Sequence, residues 1–75
     1  MKRVIRHIDT QKFLTNNGDW TTDLRSARNF EDMSAMITEC QQRPLTGVEF
    51  VLMMGDQPNR QYDIVLPYKG HGLAH

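Results

Sequence analysis

Cys40, His7, Asp9, Asp19, His71 and His75 are the side chains of this 75-residue chain best suited to attack a substrate, move a proton or hold a metal. A reactive thiol needs an electropositive, partly exposed setting. Cys40 instead falls on the apolar stripe of a predicted helix, where cysteine behaves as a small buried hydrophobe with a raised pKa. His7 and Asp9 stand two residues apart, close enough for an acid/base pair in a hairpin, although neighbouring polar residues on a small sheet are ordinarily solvated surface. An enzyme would further need a cleft lined by His7, Asp9 or Asp19. His71 and His75 have the four-residue spacing that places two imidazoles on one helical face, but Gly70 and Gly72 oppose that helix and no third ligand lies nearby. The chain has no phosphate loop, nucleophile elbow, His-Glu-x-x-His or Rossmann glycine pattern. No catalytic residue, cofactor or metal ligand is therefore assigned, and a minimal enzyme or small-ligand binder ranks third among the functional readings.

A second chemistry lies in the basic residues. Residues 1–30 carry a net charge of +3 and residues 31–75 a net charge of −3, within a chain of zero net charge. Lys2, Arg3, Arg6 and Lys12 could line one hairpin, with Phe13 or Trp20 available to stack on a base, which is the pattern of a weak, salt-sensitive nucleic-acid binder. A solvated, charged strand that discourages edge aggregation accounts for the same residues. Nucleic acid is thus a possible partner but not the favoured one.

The elements that position these residues follow from hydrophobic periodicity. Residues 3–8 alternate as a strand and residues 12–15 resume one, giving a hairpin. Asn16, Asn17, Gly18 and Asp19 mark a tight turn, after which Trp20 and Thr21 could add a third short strand and Asp23 could cap a brief helical turn. Met33, Met36, Ile37 and Cys40 continue from Phe30 along one helical face, with Asn29 as the expected N-cap and Pro44 as the stop. Residues 48–54 read as a strand, residues 55–60 as turn chemistry, and Tyr62, Ile64 and Leu66 as alternate residues of a final strand that Pro67 ends. The order predicts an α+β domain over residues 1–68: an antiparallel sheet of about four strands with one amphipathic helix on one face. Its expected core is Trp20, Phe30, Met33, Met36, Ile37, Cys40, Phe50, Leu52, Ile64 and Leu66. Residues 69–75 read as a flexible tail.

The stretch KFLTNNGDWTTDLRSARNF resembles a pattern in short uncharacterised bacterial proteins, some of mobile-element origin: strand, Gly/Asp turn, Trp-Thr pair, Arg-containing turn, then Ala and Phe before a helix. The resemblance covers about residues 12–37 and implies a fold element and a bacterial source. It implies no activity and transfers no functional residue.

A chain this short buries only about 60% of its unfolded surface, so small domains lean on disulfides, metals or partners. One cysteine excludes an intramolecular disulfide and fits a reducing compartment, hence a cytoplasmic location. No run approaches the roughly 18 apolar residues of a membrane span, and the basic start MKRVIRHIDT lacks the apolar region of an export signal, so no membrane partner is expected. The favoured reading is a non-enzymatic protein-interaction module that binds a second copy of itself, as a homodimer, or another protein. Its expected contact patch is Ile5, Val51, Met53 and Val65, on a sheet face that no remaining element covers, and the opposed charges of the two halves favour antiparallel self-pairing.

Overall fold

The computed structural model describes residues 1–68, so the predicted tail and its two histidines lie outside the described residues. Among the described residues the chain is an α+β domain with five strands and one α-helix. Strands β1 (Lys2–His7), β2 (Phe13–Leu14), β3 (Trp20–Thr21), β4 (Val48–Met53) and β5 (Ile64–Tyr68) form one sheet in the order β3-β2-β1-β4-β5, every neighbouring pair antiparallel. The sequence pattern supported about four strands. The fifth is the Trp20–Thr21 pair, held opposite Phe13 and Leu14 across the Asn16–Asp19 turn. Gly18 adopts φ +90° in that turn, a conformation glycine reaches at no steric cost.

Asp23 caps a 3-10 turn at Leu24–Ser26, accepting from the Arg25 backbone N–H at 3.0 Å. That backbone bond, followed by the Arg25 side chain, holds the Asp23 carboxyl below its ordinary value. The chain then runs beside the sheet. Ala27 bridges Thr15, Arg28 N–H bonds the Leu14 carbonyl at 2.8 Å, and Phe30 N–H bonds the Arg3 carbonyl at 2.8 Å. Asn29 Oδ1 accepts from Arg3 N–H at 3.0 Å. This explains why α1 spans Met33–Gln42 and not a helix from Phe30 capped by Asn29. Strand β2 has only two residues, which leaves both Arg3 backbone groups without a strand partner, and Asn29 and Phe30 satisfy them. Asp32 is the actual N-cap, its carboxylate accepting from Ala35 N–H at 2.8 Å.

The sheet is covered on both faces. Residue pairs Ile5↔Phe50 and Val4↔Val51 set neighbouring side chains of β1 and β4 to opposite sides. On the helix side, Ile5, Leu14, Phe30, Met36, Cys40, Val48 and Phe50 are buried, with Trp20, Met33, Leu52 and Tyr68 packed around them. On the other side, Val4, Phe13, Ala27, Val51 and Met53 form a second cluster closed by Leu24. Three residues expected in the core lie outside it: Ile37, Ile64 and Leu66 are exposed. A helix is about 10 Å across, whereas five strands spaced ~4.8 Å apart span roughly 20 Å. The single helix packs over Ile5, Leu14, Val48 and Phe50; of the outer strand only Tyr68 reaches this cluster, and Ile64 and Leu66 stay bare.

Candidate interaction surface

The contact patch expected from sequence does not form one surface. Ile5 points toward the helix and is fully buried, while Val51 and Met53 are buried on the opposite side of the sheet. Strand register separates them, because Ile5 lies opposite Phe50 and not Val51. The segment around Leu24 and Ala27 packs on Val51 and Met53. Pro58 and Arg60 join Val51 and Val65 in lining a hollow of about 310 Å³ on the same face. Val65 is the one member of the expected patch that remains exposed, at 41%.

The apolar surface that is free belongs to the β4–β5 hairpin. Ile64, Val65 and Leu66 are exposed in succession, at 50%, 41% and 41%, so this part of β5 is open on both faces, while Tyr68 at its end stacks on Phe50. At the hairpin end, Met54 and Tyr62 are exposed as well and line one hollow with Gly55, Asp56, Gln57 and Asn59. The hairpin is nonetheless ordered by its polar residues. The Asp63 carboxylate accepts from Met54 N–H at 3.2 Å and from Asn59 N–H at 2.7 Å, which closes the 55–62 loop onto the start of β5.

The basic residues are dispersed. The Arg6 guanidinium donates twice to Glu49 Oε2, each contact 2.7 Å, and Lys2 Nζ donates to the Leu24 carbonyl at 2.9 Å. Alternation places Lys2 and Arg6 on one face of the sheet and Arg3 on the other. Lys12 is exposed in the turn before β2. Trp20 is half-buried against the helix-side core and meets the His7 ring edge to face at 5.4 Å. Lys2, Arg3, Arg6, Lys12 and Trp20 therefore do not line one groove.

Two buried acids went unnoticed in the sequence. Glu49 holds Arg6 across the β1–β4 register, and Glu39 on the helix accepts from both Arg28 (2.9 Å) and Arg43. Arg28 also stacks over the Phe30 ring at 4.3 Å, and the Arg43 guanidinium lies against Gly18. The i, i+4 spacing of Glu39 and Arg43 was the available signal for the second network. Both networks join a base or acid of one half to its counterpart in the other half. Arg6–Glu49 and Arg28–Glu39 thus use within the molecule the opposed charges that were expected to favour self-pairing.

The reactive groups are separated. Burial, with the Glu39 carboxylate as a lesser cause, pushes the Cys40 thiol up to about 11. His7 Nδ1 accepts from the Thr10 N–H at 3.4 Å, so the backbone and not Asp9 occupies that nitrogen. Among the described residues no three His, Cys, Asp or Glu side chains are grouped to hold a metal, and no helix is long and apolar enough to cross a membrane. Comparison with family models, curated proteins and solved structures found no match to this chain.

Proposed function

We propose that the chain is a small protein-interaction module whose docking surface is the β4–β5 hairpin. One observation carries the reading: three consecutive apolar residues of an edge strand, Ile64, Val65 and Leu66, stand exposed on a domain whose other strands bury their apolar side chains on both faces. Ile64 and Leu66 lie on one face of the strand and Val65 on the other, and exposed apolar side chains grouped on one element are where a small domain can meet another protein. Adjacent Met54 supplies an unbranched side chain that adapts to a partner's contour. The alternative, nucleic-acid binding through the basic hairpin, has less support, because Arg6 is committed to Glu49 and the remaining bases face different directions.

The reading is tested by expressing the chain and its Ile64→Lys/Leu66→Lys double variant in cells and sizing both in extract. Both substituted positions are exposed, so the variant should fold with an unchanged circular dichroism spectrum. The native chain is expected in a complex larger than its 8.7 kDa mass, and the variant at that mass alone. Native chain and variant both running as free monomers would refute the docking surface.

A further inference from the structure

We infer that Asn17 is a covalent modification site: in the folded chain the backbone nitrogen of Gly18 displaces ammonia from its side-chain amide, leaving isoaspartate or aspartate, at a rate set by opening of the β2–β3 turn.

The chemistry depends on which residue follows each asparagine. The side-chain carbonyl carbon of an asparagine is within reach of the next residue's nitrogen, so the attack is intramolecular and needs no second molecule to be brought up. A side chain on that next residue obstructs the approach, and glycine has none. The four asparagines of the chain, Asn16, Asn17, Asn29 and Asn59, are followed by Asn17, Gly18, Phe30 and Arg60. Two of them are also tied down. Asn29 Oδ1 accepts from Arg3 N–H at 3.0 Å, and Asn59 Oδ1 accepts from Gln61 N–H at 2.9 Å. Asn17 is exposed in the turn and precedes glycine.

The fold requires that glycine for two separate reasons. Its φ of +90° is a backbone angle that other residues adopt only with strain. In addition, the Arg43 guanidinium, paired with Glu39, occupies the space a Cβ on residue 18 would need. An unobstructed nitrogen after Asn17 is therefore a consequence of how the turn packs on the end of the helix.

The same turn restrains the reaction. Gly18 N–H bonds the Thr15 carbonyl at 3.2 Å, and Thr15 Oγ1 accepts from Asn17 N–H at 3.3 Å and from Asp19 N–H at 3.1 Å. The Gly18 nitrogen must leave its bond and lose its proton before it attacks. All three contacts are at or beyond the long end of the N–H···O range, and exposed loop tips open more readily than the sheet they join.

Hydroxide takes the Gly18 N–H proton, and the nitrogen bonds to Asn17 Cγ. The Cγ–Nδ2 bond breaks, and the departing nitrogen takes a proton from water and leaves as ammonia. Water then opens the cyclic imide at one of its two carbonyls. Cleavage at Cγ gives aspartate, and cleavage at the main-chain carbonyl gives isoaspartate, whose backbone runs through Cγ. Either product places a carboxylate next to Gly18, where the Arg43 guanidinium lies. Isoaspartate also lengthens the main chain inside the turn that pairs Leu14 with Trp20.

Peptide mapping by mass spectrometry tests this on the purified full chain, held in mildly alkaline buffer at physiological temperature. The peptide containing Asn17 should gain about 1 Da and split chromatographically into two isomers. Its conversion should be at least about tenfold faster than that of Asn16, Asn29 or Asn59. Thr15→Val, which removes the hydroxyl acceptor, should react several-fold faster than the native chain while keeping its circular dichroism spectrum. In urea that unfolds them, the two chains should react at one common, higher rate. A folded chain that keeps its Asn17 amide while the unfolded chain loses it overturns the inference, as does equal conversion of the other asparagines. A native rate that is the same with and without urea overturns control by the turn, whether or not Thr15→Val folds.

Discussion

Lysine at position 51 and lysine at position 64 should give opposite results, although both positions are apolar β residues on neighbouring strands. Val51 is 1% exposed between Val4 and the Leu24–Ala27 segment, so Val51→Lys buries a charge without a partner and should cost about 4 kcal/mol or more. Ile64→Lys adds a solvated charge and should change stability by less than about 1 kcal/mol. Urea denaturation of the two variants distinguishes them. Glu39 offers a second test. It holds two arginines that are themselves partly exposed, so Glu39→Gln should cost only about 1–2 kcal/mol, less than a fully buried pair would. Cys40 gives a pH signature. The folded state keeps a thiol proton up to about 11, which the unfolded chain releases near 9, so its contribution is complete below that lower value and declines as pH rises between the two. The urea midpoint should therefore fall between about pH 8 and about pH 10.5 in the native chain, and fall less in Cys40→Ala. Equal losses in both would place the alkaline sensitivity elsewhere.

At the scale of elements, the helical stripe of Met33, Met36 and Cys40 and the turn chemistry at Asn16–Asp19 were legible in the sequence, because each is a local pattern with a local cause. The start of α1 was not. Phe30 continues the stripe in register, but a long-range demand from Arg3 takes its N–H, and no local signal carries that information. The two-sided core had a visible sign in Val48–Met53, where five of six residues are apolar, a run typical of a strand buried on both faces. Simple alternation along it sets Val51 and Met53 on an open face, whereas both are buried. Periodicity assigns Ile64 and Leu66 to the core because it identifies a face without telling how many strands one helix covers. Asp32→Ala tests the cap that replaced Asn29 and should cost about 1 kcal/mol, measured by thermal unfolding. Pro67 lies on β5, whose outer edge has no neighbouring strand, so Pro67→Thr restores a backbone donor there and at high concentration should produce larger species than the native chain does, seen by light scattering.

Taken as one molecule, the chain has a sheet wider than its helix. Its ion pairs tie the two halves together internally, Arg6 to Glu49 and Arg28 to Glu39, and leave the β4–β5 hairpin as an apolar region without a covering element. A domain of this length has little core to spare, and covering Ile64 and Leu66 with a partner would raise its apparent stability. The most direct test compares methyl resonances of the labelled chain purified and in cell extract. Docking at the hairpin predicts shifted or broadened signals at Ile64, Val65 and Leu66, with Val4, Val48 and Val51 unmoved. Changes confined to residues around Lys2, Lys12 and Trp20, or no changes at all, would contradict it.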